Sequence, residues 1–349
     1  MRYFKFGLAI LMAVILASCG GGGSDVPAKP KFSSQVSFGD SLSDVGSYQV
    51  GAVATAGGGQ FTINAASAVK VTTPTNWTEY TSLSLGLGMP CAATTGGFGV
   101  ATTTHAGCYG YGEGGARVTN PAGVGNTGTT AGVFNTAMTI PVVSQIASYL
   151  STAVGNKFSG DEIVFVMAGA NDVFTQAGMV AATAISPASA VVAVQTAASE
   201  LAAAVNTQIV ANGAKYVVVV NVPDIGSTPY IALSANPAAT KSLIDGLVGA
   251  FNAQLKADLP DSANVLNVDA FTASHDEVAN PAKYNLNNAQ LPACNIAVLP
   301  NNSSLFCNAG TLSFSDPYYL FADAVHPTPY GHLLFATYVL QAMTNKGWY

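Results

Sequence analysis

The chain has 349 residues and a formal net charge of −6, with 9% charged against 49% hydrophobic side chains. That length and apolar content suffice for one large α/β domain with a sizeable core. An acidic chain with no basic stripe or basic helix offers no groove that tracks phosphates, which excludes nucleic acid as a partner.

Residues 1–18 read as a targeting segment. Arg2 and Lys5 give a positive start, and the apolar run over residues 8–16 is too short to span a bilayer. It ends Leu16-Ala17-Ser18-Cys19-Gly20, which looks like a bacterial lipobox, in which Cys19 is acylated and becomes the mature N-terminus. Acyl chains there would anchor the protein to a membrane, each buried CH₂ adding about 0.8 kcal/mol. Gly20, where Asp would signal retention, resembles outer-membrane sorting. The rival is an ordinary secretory signal with an incidental Cys. Residues 19–34, rich in Gly, Pro and Lys, are expected to be a lipidated, flexible tether.

Residues 35–349 read as one domain with loop excursions at about 46–130 and 280–317. Residues 35–38 are a short strand feeding into Gly39-Asp40-Ser41-Leu42-Ser43-Asp44. Asn76 opens a short helix that ends near residues 86–88, and residues 142–150 form another. Residues 161–168 are nearly all apolar, as in a buried parallel strand, and end in Gly169-Ala170-Asn171-Asp172. A long Ala/Val helix follows over residues 187–212, then a strand over 215–222 and the turn Val222-Pro223-Asp224-Ile225-Gly226. Residues 237–259 are helical, 264–268 extended, and a closing helix spans 329–345. Strands alternating with helices predict a parallel sheet covered on both faces.

Setting Cys19 aside leaves Cys91, Cys108, Cys294 and Cys307. An even number in an exported chain suggests two disulfides, with three pairings open. The local pairing, Cys91–Cys108 with Cys294–Cys307, is the expected one, because each closes a short loop. Zinc is the rival, but the close C-x₂₋₄-C spacing is missing.

The chemistry centres on Ser41. A serine hydroxyl is a weak nucleophile and needs a base and an oxyanion site. His326 follows Asp323 at a spacing that lets one turn hold both side chains together, and Ser, His and Asp in those roles make an acyl-transfer triad. Asp40 and Asp44 read as turn and capping residues, and Asp172 as a structural acid holding its loop. His105, His275 and His332 have no partner that spacing can name. Ser67 and Lys70 match an S-x-x-K pattern, but no K-T-G or S-D-N follows.

Four blocks together resemble the GDSL, or SGNH, hydrolase family: Gly-Asp-Ser-Leu at Ser41, Gly114-Gly115-Ala116, Gly-x-Asn-Asp ending at Asp172, and Asp-x-x-His from Asp323 to His326. Gln145 also stands where that family carries a similar residue. The family often has Asn-Tyr-Ala where this chain has Gly110, Tyr111 and Gly112. The resemblance implies a three-layer α/β/α sandwich with a mainly parallel, flavodoxin-like central sheet. It also implies an oxyanion hole made of the Ser41 and Gly115 N–H groups and the Asn171 amide. The expected activity is a cell-surface serine esterase without metal or cofactor, losing activity in acid as His326 protonates. A phospholipase or glycerophospholipid acyltransferase is the alternative, and a non-catalytic binding lipoprotein the alternative of another class. Phe98, Tyr109, Tyr111, Tyr284, Phe306, Tyr318 and Tyr319 are expected to give the pocket rim an apolar acyl site. The substrate is a small-molecule or lipid ester, and the oligomeric state is not readable.

Overall fold

The computed structural model describes residues 29–64, 73–126 and 136–349. The signal segment, Cys19, Ser67 and Lys70 lie outside the described residues. The first half runs β1 (Gln35–Gly39), α1 (Gly51–Thr55), α2 (Trp77–Ser84), β2 (Thr94–Gly97), β3 (Val100–Thr104), α3 (Val142–Thr152), β4 (Ile163–Met167) and α4 (Ala170–Ala181). The second runs α5 (Pro187–Ala204), β5 (Tyr216–Val220), α6 (Pro229–Leu233), α7 (Pro237–Asp258), β6 (Val265–Val268), α8 (Ala270–Ala279), β7 (Asn288–Pro292), β8 (Tyr319–Phe321) and α9 (Pro329–Asn345).

β1, β4, β5 and β6 pair in that order as a parallel sheet. Its strands are apolar along their length because helices cover both faces. Val36, Phe38, Val164, Val166, Val217 and Val219 share one core with α3, α5 and α7. Their alternates, among them Phe165, Met167, Val218 and Val220, meet Trp77 of α2 and Val339 and Met343 of α9 on the other side. The result is the three-layer sandwich with a parallel central sheet.

A fifth, irregular position extends the sheet beyond β1. Ser37 N–H donates to Tyr109 O (3.0 Å), Tyr111 N–H to Ser37 O (2.8 Å) and Glu113 N–H to Gly39 O (3.1 Å). β1 therefore lies between segment 109–113 and β4, and the chain leaves it to opposite sides. Open α/β sheets bind ligands at such a reversal, outside the carboxyl ends of the strands.

Several elements differ from expectation. Helix α4 directly after β4 was not expected, because Asn171-Asp172 reads as a turn while in fact it forms the helix's first turn. The hairpin β2–β3 is hidden in a Gly/Thr-rich run. The end of the expected tether is docked: Phe32 is buried edge-on to Tyr216, and Ser33 N–H donates to Asp161 O.

Both local disulfides are present, Cys91–Cys108 and Cys294–Cys307. The second closes a loop of sequence separation 13. Replacing Cys294 and Cys307 by Ser should lower unfolding free energy by about 2–4 kcal/mol, the usual effect of freeing such a loop in the unfolded chain. A urea titration with and without reductant checks this: reductant should move the wild-type midpoint, with a smaller shift in the double variant.

Candidate active site

Ser41 is presented by the shortest of turns. Gly39 ends β1 against β4, where a Cβ would lie 2.4 Å from Met167 O, so no larger residue fits. Asp40 Oδ1 then accepts the Leu42 N–H (3.0 Å) and caps a single 3₁₀ turn, Ser41–Ser43. Two other elements fix this turn in place. Gln145 of α3 accepts the Gly39 N–H and donates to the Gly39 carbonyl, both at 2.8 Å. Asn76, which caps α2 in a capping box with Glu79, donates to Leu42 O (2.7 Å).

His326 reaches the turn from the far end of the chain. Its Nε2 is 2.8 Å from Ser41 Oγ, and its Nδ1 is 2.8 Å from Asp323 Oδ2. A carboxylate facing Nδ1 places the proton there, which leaves Nε2 as an acceptor for the serine hydroxyl. Asp323 is held from several sides: Oδ1 accepts the Val325 and His326 N–H groups, and Oδ2 accepts the Ser304 N–H (2.7 Å). Burial alone would push this carboxyl up. The charge of His326 and the hydrogen bonds from His326 and Ser304 outweigh it and hold Asp323 well below the usual carboxylate range. Phe61 lies against the imidazole, ring centroids 5.0 Å apart.

The oxyanion candidates besides the Ser41 N–H lie on the glycine loop that Asp44 ties to the serine turn and in the first turn of α4. Gly115 has φ +81°, and a Cβ on it would meet Val124 O at 2.0 Å. The Gly114 N–H is committed to Asp44 Oδ2 (2.9 Å), whereas the Ser41 and Gly115 N–H groups donate to no acceptor among the described residues. Asn171 gives one amide proton to Ala116 O (2.9 Å), which orients the side chain and leaves its second proton available. Asp172 beside it accepts the Arg117 Nε–H and the Val118 N–H, tying α4 to the glycine loop. Such uncommitted, preorganised donors are what a developing oxyanion requires.

The model of the GDSL-like lipase/acylhydrolase family matches residues 36–339, nearly the whole described domain. The chain belongs to this family. It is thus a hydrolase of lipase or esterase type. An extracellular lipase from Streptomyces rimosus has a related structure at 14% identity, covering 88% of this chain and 99% of that one, with a TM-score of 0.40, a likeness too loose to add to the fold. No curated protein matches the sequence.

Other expectations about this GDSL hydrolase need correction. Tyr109 and Tyr111 pack on Tyr149, Phe98 on Tyr48 and Phe306, Tyr318 on Tyr330, and Tyr319 on Phe314. Phe61, which no motif marks, is the ring that lies against His326. His105 and His275 have partners after all: Thr95 Oγ1 at 2.8 Å and Asp224 Oδ2 at 2.7 Å. Glu113, inside the glycine loop, also escaped notice because nothing in its spacing signals burial.

Three acids crowd the serine turn. Burial pushes Asp40 and Asp44 each up to about 6 and Glu113 up to about 8; hydrogen bonds only partly offset it, and the Asp44 charge adds to the rise at Glu113. Raised acid pKa values mean that the folded state binds protons more tightly than the unfolded chain. Their stabilising contribution is complete at low pH and is lost as pH rises through each folded value. Glu113→Gln should therefore match wild type near pH 5 and exceed it in stability near pH 8. Urea midpoints across that range check the sign. Asp323 acts the other way, its contribution being lost as pH falls below the ordinary carboxylate range.

Proposed function

We propose that this hydrolase is a serine esterase in which Ser41 is the nucleophile, His326 the general base and then acid, and Asp323 the residue that orients His326. One observation carries the reading: an unbroken hydrogen-bonded chain, Ser41 Oγ to His326 Nε2 and His326 Nδ1 to Asp323, at the open end of the sheet. Ser41 Oγ attacks the ester carbonyl as its proton passes to His326 Nε2. The carbonyl oxygen, now negative, takes hydrogen bonds from Ser41 N–H, Gly115 N–H and Asn171 Nδ2. Collapse breaks the bond to the alkoxy oxygen, which leaves as the alcohol with the proton from His326. Water, activated by the same imidazole, then frees the acid from the acyl-enzyme.

A fluorophosphonate probe should label the wild type and fail on Ser41→Ala, and p-nitrophenyl ester hydrolysis should vanish with it. A folded wild type that neither labels nor turns over any ester would point instead to a binding protein on a hydrolase fold. Asp323→Asn should lower kcat by about 10³–10⁴-fold, because the imidazole loses its tautomer control. Asn171→Ala should lower it by about 10²–10³-fold with little change in KM.

The lipobox-like Leu16-Ala17-Ser18-Cys19 supports a further proposal, that acylated Cys19 holds the enzyme at the bacterial outer membrane. Expression with labelled palmitate checks this. Label should enter the wild type and be absent from Cys19→Ser.

A further inference from the structure

A cavity of about 70 Å³ lies at the carboxyl ends of β4, β5 and β6, with chain neighbours of Ser41 and His326 in its wall. Leu42, one residue beyond Ser41, and Val325 and Pro327, on either side of His326, form the wall nearest the triad. Trp77, Met167 and Phe335 make its apolar floor.

Glu277 of α8 lines this apolar space and does not fit it as a packing residue. It is 7% exposed, receives no hydrogen bond and faces no cation; the neighbouring lysine, Lys283, pairs with Asp276 instead. Burial first, and the Asp276 charge second, push its carboxyl up to about 8, so at neutral pH it is chiefly the uncharged acid, able both to donate and to accept. His332 of α9 lines the same cavity, is 1% exposed, and has no well-formed hydrogen bond at either ring nitrogen. Burial, reinforced by His326 and only partly opposed by the Phe61 backbone, pushes it down to about 3 and keeps it neutral. The indole N–H of Trp77 is likewise without a partner. Buried polar groups are nearly always satisfied, and leaving one unpaired is destabilising. His332 and Trp77 leave that requirement unmet in this wall. A polar group arriving with a ligand would meet it.

We propose that this cavity receives a short arm of the ester that carries a hydroxyl, which hydrogen-bonds to the Glu277 carboxyl. At about 70 Å³ the cavity is small, which suits a short arm such as a hydroxylated three- or four-carbon group. The charge state sets the chemistry. No cation lines the cavity, so phosphate and carboxylate arms are disfavoured, whereas a neutral acid beside a neutral imidazole suits a hydroxyl. The hydroxyl can belong to the acyl group or to the alcohol. This inference rests on Ser41 being the nucleophile.

Two matched pairs of substrates test it: p-nitrophenyl 3-hydroxybutyrate against p-nitrophenyl butyrate, and 2-hydroxyethyl butyrate against propyl butyrate. Wild type should favour the hydroxylated member of one pair at least tenfold in kcat/KM, and that pair identifies the arm. Glu277→Leu should bring the ratio close to one, while Glu277→Gln, which keeps a neutral hydrogen-bonding group, should retain most of it. No preference in either pair for wild type, or a preference that survives in Glu277→Leu, overturns the proposal. The wild-type ratios decide alone if the leucine variant does not fold. Fluorophosphonate labelling and p-nitrophenyl acetate hydrolysis by wild type separate the two readings. Their failure removes the serine esterase, whereas their success without discrimination removes only the hydroxylated arm.

Discussion

The Asp44 carboxylate holds the site together. It accepts the N–H groups of Gly46 and Ser47 and the Ser47 hydroxyl on one side, and the Gly114 N–H on the other. The first three belong to the chain leaving the nucleophile turn, and the last to the glycine loop some seventy residues away (a separation of 70). A buried carboxylate is expensive to desolvate, and it persists only where hydrogen bonds surround it. Here that requirement clamps two loops into contact. The clamp also occupies Gly114, which leaves the next N–H, at Gly115, directed elsewhere and uncommitted.

Glycines make that contact close enough to work. A Cβ on Gly112 would meet Ser43 O at 2.7 Å, and one on Gly114 would strike the Phe61 ring at 2.1 Å. Phe61 in turn covers His326, so the glycine loop shapes the donors around the serine and also seats the ring that shields its base. At the next loop, Gly169 at φ +114° lets α4 start immediately after β4, with Phe251 filling the space a side chain would take. That early start puts Asn171 in the first turn of the helix, where its amide donates to Ala116 O of the glycine loop.

The acid side of the triad is braced differently. Ser304 stands between Cys294 and Cys307, and its N–H completes the Asp323 carboxylate. Asn64 donates to the Ser304 and Cys307 carbonyls, adding a strut from the first excursion. The two loops that read as irregular excursions in the sequence thus meet at the site and hold it. Their polarity reflects this work, since loops without regular ladders must satisfy their backbone groups through side chains such as Asn64 and Asn308.

Much of this was legible in the residues alone. Continuous apolar runs marked β4 and β5, alternation of strand and helix marked a parallel sheet, and the closing helix was placed over 329–345, because these are local consequences of periodicity. Four short blocks in order were enough to name Ser41, Gly115, Asn171, Asp323 and His326 as candidates, since reactive chemistry admits few residue types. The two disulfides followed from an even count and short loops. Long-range packing was not legible. Ser41 and His326 are 285 residues apart, and only the sheet order brings them within a hydrogen bond. The burial of Glu113 and Glu277, the partners of His105 and His275, and the ring contacts of Phe61 all depend on which surfaces the folded chain places face to face. A side chain's identity is local, but its desolvation and its partners are properties of the whole fold, and those decide its charge and its use.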